Sequence, residues 1–282
     1  MTLKNRQLGF INKILPVSAV DGPGNRLVFF LQGCNLNCIY CHNPETISYC
    51  TACGKCIEKC GGCAIQSEKN KIVFHPAKCL NCGNCLENCI YNSTPKYFSY
   101  GYREIEKIIQ NYSDFISGIT ISGGEPTMQP DLTSTILLIA KKKNKSAFID
   151  TNANCDENVM EKLSCLFDKA MIDLKAFYSE EHIRLTGSDN SKILKNTAFL
   201  LKSKKVYEIR TVVFSEEKFM TDNILKIAEF IARLNKTVKY KLIVFRKEGT
   251  RKGHILKTPK DEYLSRLKKE CAGIGLSNIA VN

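Results

Sequence analysis

Three cysteines within eight residues, and no fourth beside them, constrain this chain more than any other feature. The stretch GCNLNCIYC (33–41) sets Cys34, Cys38 and Cys41 in a C-x3-C-x2-C spacing, with Tyr40 directly before the last thiol. A closed structural metal site takes four ligands, whereas a site that binds something keeps one position open. The group therefore asks for a distant fourth ligand or for a position left to a bound molecule. The chain has 15 cysteines, of which 11 fall into three groups. In a reducing compartment such thiols serve as metal or redox ligands, not disulfides. The remaining four, Cys63, Cys155, Cys165 and Cys271, follow no ligand spacing and read as small buried hydrophobes or spectators.

Cys50, Cys53, Cys56 and Cys60 give C-x2-C-x2-C-x3-C, and Cys79, Cys82, Cys85 and Cys89 repeat it. Such a run wraps three corners of an iron–sulfur cube, while its fourth cysteine ligates the other cluster. This expects Cys50, Cys53, Cys56 and Cys89 on one [4Fe–4S] cluster and Cys60, Cys79, Cys82 and Cys85 on a second. The customary proline after each fourth cysteine is missing; Gly61 and Ile90 stand there. Two zinc knots are the rival, since C-x2-C pairs also serve zinc, but zinc needs neither the third cysteine nor the doubling. Electron delivery and structural stapling are both open as purposes. The stretch 46–99 shows little hydrophobic periodicity, and a segment too small for a core can be held by metal. It reads as an inserted ferredoxin-like domain, with 1–45 and 100–282 forming the main domain.

The flanking chain alternates between strand and helix. Apolar runs at 26–32, 117–122, 146–150, 170–174, 207–214 and 240–245 read as buried strands. Amphipathic stretches separate most of them, among them REIEKIIQNY, SKILKNTAFLLK and DNILKIAEFIARL. In the last, Ile224, Leu225, Ile227, Ala228, Phe230, Ile231 and Leu234 share a face. Six strand–helix units in series argue for an α/β fold with a parallel sheet, either an open barrel or a doubly wound sheet. The polar motifs sit at strand ends: Cys34 after the first, SGGEP after the second, DTNA after the third and DLK at the fourth. Parallel barrels build active sites at the carboxyl ends of their strands, which favours the partial barrel.

The net charge of +13 admits a nucleic acid or an acidic protein partner. Its lysines are spread over helices (KKKNK, LKSKK, LSRLKKE) and are not interleaved with aromatics, so solvated faces are the simpler reading and no nucleic-acid platform is expected. No apolar run reaches the roughly 18 residues of a membrane span. The opening MTLKNRQLGFINKILPVSAV lacks a cleavage site. A cytoplasmic protein with no membrane attachment is expected.

CNLNCIYC resembles the signature of radical S-adenosylmethionine (SAM) enzymes, in which the SAM amino and carboxylate groups chelate the fourth iron. VDGPGNRLVFFLQGCNLNCIYCHNPET and LTGSDNSKILKN resemble the glycyl-radical enzyme activating enzymes, and the eight-cysteine insert their longer subgroup. The short length and the SAVDGPGNRL wording come nearest to the YjjW-type activases. The resemblance runs over roughly residues 10–245. It implies a partial (β/α)6 TIM-like radical SAM barrel, and as cofactors three [4Fe–4S] clusters, SAM and a monovalent cation.

It also implies site roles. Cys34, Cys38 and Cys41 hold the site cluster. Tyr40, Gly123, Gly124, Glu125, Asp150, Asn152, Lys175 and Arg210 contact SAM. Asp150, Thr151, the Met171 carbonyl and Asp173 hold the cation; hard oxygen donors suit such an ion. Arg246 stands where relatives have a SAM-contacting histidine, and His42 lies close to the cluster. The run RKEGTRKGH (246–254) reads as a solvated loop, with partner contact the alternative.

The implied activity is an activase: one electron cleaves SAM to methionine and a 5′-deoxyadenosyl radical, which takes a hydrogen atom from a backbone glycine of a partner enzyme. The implied partners are that glycyl-radical enzyme and a flavodoxin- or ferredoxin-like electron donor. A monomer fits an enzyme that has to engulf another protein's loop. The rivals are a radical SAM enzyme acting on a small molecule or another peptide, an electron-transfer module without catalysis, and a zinc-dependent nucleic-acid-binding protein.

Overall fold

The computed structural model describes residues 7–69, 71–215, 217–251 and 256–282. A nine-stranded sheet runs through it. In spatial order the strands are β11 (Ile279–Val281), β10 (Lys239–Val244), β9 (Val206–Val213), β8 (Lys169–Asp173), β7 (Ser146–Thr151), β6 (Gly118–Gly123), β2 (Arg26–Leu31), β1 (Gln7–Ser18) and β5 (Phe98–Gly101). From β2 to β11 every pairing is parallel. β1 is antiparallel to both β2 and β5. The two edges, β5 and β11, do not pair, so the sheet stays open.

All six strands expected from the apolar runs form. β2 (RLVFFL) shows why: nearly every residue is buried, as in a parallel strand covered on both faces. The connections are the helices α2 (Tyr102–Tyr112), α3 (Pro130–Lys142), α4 (Glu157–Ser164), α5 (Ser179–Thr186), α6 (Ser191–Lys202) and α7 (Glu217–Leu234), and α8 (Asp261–Gly273) precedes β11. Successive helices touch one another (α2 with α3, α3 with α4, α4 with α6, α6 with α7, α7 with α8), so they form one layer alongside the sheet. The face of α7 read from sequence is the one it buries, with Ile224, Ile227, Ala228 and Ile231 fully covered.

Three strands extend the sheet beyond that expectation. β5 and β11 are four and three residues long, too short for a period to show. β1 mixes polar and apolar residues, and its register slips between Leu15 and Ser18, around Pro16, which has no N–H to donate.

At the amino ends of the strands, Arg26 is wholly buried. It donates to Thr120 Oγ1 (2.7 Å), Ser146 Oγ (3.0 Å) and the carbonyls of Ile119 (2.5 Å), Ser146 (3.2 Å) and Pro23 (3.3 Å), and stacks on Phe148. It closes the end of the sheet opposite the polar strand-end motifs.

Between β2 and β5 the chain leaves the sheet. This excursion holds an antiparallel hairpin, β3 (Ile65–Glu68) with β4 (Lys71–Phe74), and one short helix, α1 (Asn84–Glu87). A parallel bridge between Ser48 and Ser93 ties its two ends together.

Candidate functional site

The carboxyl ends of β2, β6, β7, β8 and β9 open into a cleft of about 320 Å³. Cys34, Cys38, Cys41, Tyr40, Gly123, Gly124, Glu125, Asp150, Thr151, Asn152, Asp173, Lys175 and Arg210 all line it, and so does His42. Residues scattered over 177 positions of sequence thus meet at one place. Met171 is fully buried and contributes no side chain to the lining; Arg210 Nη1 lies 4.0 Å from its sulfur.

The cysteine loop is held by backbone hydrogen bonds from several elements. Gly33 and Cys34 N–H donate to the Thr46 and Ile47 carbonyls (2.8 and 2.9 Å). Asn37 and Ile39 N–H donate to Thr186 and Leu185 at the end of α5 (2.8 and 3.0 Å). The LTG stretch therefore supplies helix-end carbonyls that fix the loop. Burial pushes the Cys41 thiol up to about 11, and raises Cys34 and Cys38 as well. Buried thiols of this kind stay neutral unless a metal takes the proton's place.

Gly123 and Gly124 answer to the same loop. Gly123 has φ +101°, and a Cβ there would lie 2.3 Å from Leu31 N. A Cβ on Gly124 would lie 2.0 Å from the Gly33 carbonyl oxygen. The Gly124 and Glu125 N–H groups donate to Leu31 and Gly33 (2.9 and 2.8 Å). Only glycine allows this close an approach.

Glu125 is a buried hub. Its Oε1 accepts from Thr127 N–H (3.0 Å), Thr127 Oγ1 (2.8 Å) and Thr151 Oγ1 (2.6 Å), and its Oε2 from Asn152 N–H (2.8 Å). Oε2 thus retains acceptor capacity towards the cleft. Burial pushes the carboxyl up, and the four donors oppose it.

Asp150, Asp173, Lys175 and Arg210 form a charged chain. Arg210 Nη2 meets Asp150 Oδ1, Arg210 Nε donates to Asp173 Oδ1 (2.7 Å), and Lys175 Nζ donates to Asp173 Oδ2 (2.8 Å). Burial alone would raise Asp173, but Arg210 and Lys175 override it and hold it well below the usual carboxylate range. Asp150 moves up, by burial, opposed by Arg210 and reinforced by the charge of Asp173. The two aspartates expected to hold a monovalent cation carry a guanidinium between them here.

Three contacts had no signal in the sequence. Ser122 Oγ donates to Asp150 Oδ2 (3.0 Å). Lys96 Nζ lies 3.4 Å from Cys79 Sγ. Arg251 reaches the cysteine loop, donating to Asn37 Oδ1 (2.8 Å) and to the Asn37 and Cys38 carbonyls (3.0 and 2.5 Å). The loop after β10 was read as solvated, yet its Arg251 clamps the cysteine loop, and His42 Nε2 binds the Arg246 carbonyl (3.0 Å). The Arg246 side chain is exposed and does not line the cleft. Residues 252–254 of that run lie outside the described residues.

In the insert, Cys50, Cys53, Cys56 and Cys89 line one cavity, together with Cys85. Lys96 donates to Cys79 (3.4 Å), and burial raises the Cys85 thiol while the nearby Lys96 charge opposes it and Cys60 adds to it. Of the ungrouped cysteines, Cys271 is buried and Cys155 half-buried, while Cys63 and Cys165 are exposed. Among the described residues, no three His, Cys, Asp or Glu side chains gather as ligands of one metal ion, the arrangement a zinc knot needs. Thiols at the corners of a four-iron cube stand further apart.

The donor set of the main cleft fits a cluster held by three thiols with one open position. Around it stand an acceptor for an ammonium (Glu125 Oε2) and two cations for a carboxylate (Lys175 and Arg210).

Comparison with known proteins agrees. The sequence profile described as the Radical SAM superfamily matches residues 28–231. The trans-4-hydroxy-L-proline dehydratase activating enzyme of Clostridioides difficile is 33% identical over 196 residues, 64% of this chain and 65% of that protein. The chain thus spans just under two thirds of that relative. The 4-hydroxyphenylacetate decarboxylase activating enzyme of the same organism is 30% identical over 223 residues, 72% of this chain and 71% of that one. Streptococcus suis SuiB, in its crystal structure bound to precursor peptide SuiA, superposes with a TM-score of 0.59 at 16% identity, over 90% of this chain and 48% of that one. With its three-thiol loop at the strand ends of a mostly parallel sheet, the chain belongs to the radical SAM superfamily.

Proposed function

We propose that this protein is a glycyl-radical enzyme activating enzyme. The observation that carries the reading is the single cleft that collects all three thiols of CNLNCIYC and the strand-end set from Gly123 to Arg210. The relatives named as activating enzymes support it. When bound, the site cluster delivers one electron that splits the sulfonium C–S bond of SAM, giving methionine and a 5′-deoxyadenosyl radical that takes a hydrogen atom from a backbone glycine of the partner enzyme.

The chain's own residues bind and orient. Cys34, Cys38 and Cys41 would hold the site cluster and leave one position open for SAM. Glu125 Oε2 accepts from the SAM ammonium, and Lys175 and Arg210 receive the SAM carboxylate, for which a forked guanidinium is suited. Tyr40, Gly123, Gly124 and Asn152 line the site around them. Asp150, Asp173, Thr151 and the Met171 carbonyl are oxygen donors of the kind a monovalent cation takes. Since Asp150 and Asp173 hold Arg210 here, ion and guanidinium compete for the same carboxylates.

The insert's thiols would hold two clusters, one on Cys50, Cys53, Cys56 and Cys89 and one on Cys60, Cys79, Cys82 and Cys85, which would supply redox carriers for an electron from a flavodoxin- or ferredoxin-like donor. In this reading the protein is a cytoplasmic monomer acting on a protein substrate. Among the described residues no helix is long and apolar enough to cross a membrane.

Electron paramagnetic resonance tests the reading. The reconstituted, reduced protein is mixed anaerobically with SAM and the glycyl-radical enzyme encoded nearest to it. A glycine-centred doublet is expected, and none when Cys34, Cys38 and Cys41 are replaced by alanine. Intact clusters and a folded partner without a doublet would sink it. Continued formation of 5′-deoxyadenosine would then favour a small-molecule or other peptide substrate, and no formation an electron carrier.

A further inference from the structure

The two cysteine groups of the insert differ in their electrostatic surroundings. Lys96, in the segment that returns the chain to β5, is half-buried. Its Nζ lies 3.4 Å from Cys79 Sγ and sits 5.6 Å from the centre of the Phe74 ring, and Cys85 is close enough for the two charges to act on each other. Its backbone is fixed by Thr94 Oγ1, which accepts from Lys96 N–H (3.1 Å). The ammonium is thus held against Cys79 of one group.

The other group has no such partner among the described residues. Cys50 Sγ accepts from the Ala52 N–H (3.4 Å), and Cys89 Sγ faces Ser93 Oγ (3.5 Å). Lys55 lines that cavity, but it is exposed and bonds no thiol there. This second group lies next to the site loop, because Ser93 is bridged to Ser48, whose neighbour Ile47 accepts from Cys34 N–H. Relative to it, the group that Lys96 touches is taken as the outer one.

Net charge and hydrogen bonds to the sulfurs set the reduction potential of an iron–sulfur cluster. Reduction adds one negative charge, which a fixed ammonium at hydrogen-bond distance stabilises. We propose that Lys96 sets the potential of the outer cluster, raising it above that of the inner one, so that an incoming electron occupies the outer cluster first. The proposal rests on the two-cluster reading of the insert, not on the identity of the glycyl-radical partner.

The test is a redox titration of the anaerobically reconstituted full chain, followed by electron paramagnetic resonance, with iron counted first. Wild type should carry about 12 irons in three clusters. A count of about four would remove the cluster that Lys96 tunes, overturning the proposal with its premise. With all clusters present, Lys96→Met should lower the midpoint of one auxiliary signal by about 59 mV, a tenfold change in its oxidised-to-reduced ratio. The other auxiliary signal and the site cluster should not move, and Lys96→Arg should stay near wild type. No shift, a common shift of all three signals, or an equal shift in Lys96→Arg would overturn it. Should Lys96→Met lose iron, Lys96→Gln is titrated in its place. Iron loss in both neutral variants but not in Lys96→Arg would also overturn it, making Lys96 a residue of cluster assembly.

Discussion

Replacing Glu125 by glutamine tests whether the buried carboxyl works as an anion. Its oxygens accept four hydrogen bonds, three on Oε1 and one on Oε2. Of the two orientations of the new amide, one sets its NH2 against three donors. The less costly one sets it against the Asn152 N–H alone. That orientation loses one bond to a charged acceptor and leaves the Asn152 N–H buried without a partner. A bond to a charged group contributes about 1.5–3 kcal/mol, and an unmet buried donor costs about 1–3 kcal/mol. These overlap, and a loss of about 3 kcal/mol is expected. For a chain of this size it lowers Tm by roughly 6–12 °C. Thermal unfolding of the anaerobic protein at pH 7, followed by circular dichroism, reads this directly. A loss below about 0.5 kcal/mol would refute the reasoning, because surface-like neutrality at a buried hub means the residue is already uncharged. Burial pushes Glu125 in that direction, and glutamine mimics a protonated carboxyl, so the outcome decides between burial and the four donors.

Arg210→Met leaves Asp150 and Asp173 facing each other, and one must take up a proton. Its folded-state pKa then lies above the unfolded value of about 3.9 and above that of Asp150 in the wild type, which Arg210 holds back, so the variant loses stability as pH rises from about 4 towards 7, seen as a Tm that falls more steeply with pH than that of wild type. Arg251→Met removes three hydrogen bonds to the cysteine loop; even one such bond is worth about tenfold, so a chelator should strip the site cluster at least about tenfold faster while auxiliary iron is lost at the wild-type rate. Arg26→Met strips the buried guanidinium from five acceptors at the far end of the sheet. It should cost about 3–5 kcal/mol in urea unfolding, since a bond to a charged donor is worth about 1.5–3 kcal/mol and several buried acceptors lose theirs, with SAM cleavage per folded molecule unchanged.

What could be read from the chain alone was local. The cysteine spacings concern residues within a turn or two of each other, and the six central strands are runs such as RLVFFL and GITIS whose burial follows from composition. The polar motifs from Gly123 to Lys175 were legible as motifs because each sits where a recognisable apolar run stops, but their roles, and Arg210 within β9, came from the family resemblance. Tertiary structure decided the rest, for reasons of distance in sequence. Arg251 holds the Cys38 carbonyl from 213 residues away, and no spacing rule spans that gap. Gly123 and Gly124 are required by the approach of the Leu31–Gly33 backbone, a contact that exists only once β2 and β6 lie side by side. Arg210 lies between two aspartates because β7, β8 and β9 are adjacent and in register, pairing Asp150 with Met171 and Asp173 with Arg210. Lys96 meets Cys79 only after the insert folds back towards β5. The amino-acid sequence determined which groups would do the chemistry; the packing of parallel strands determined which charge stands beside which.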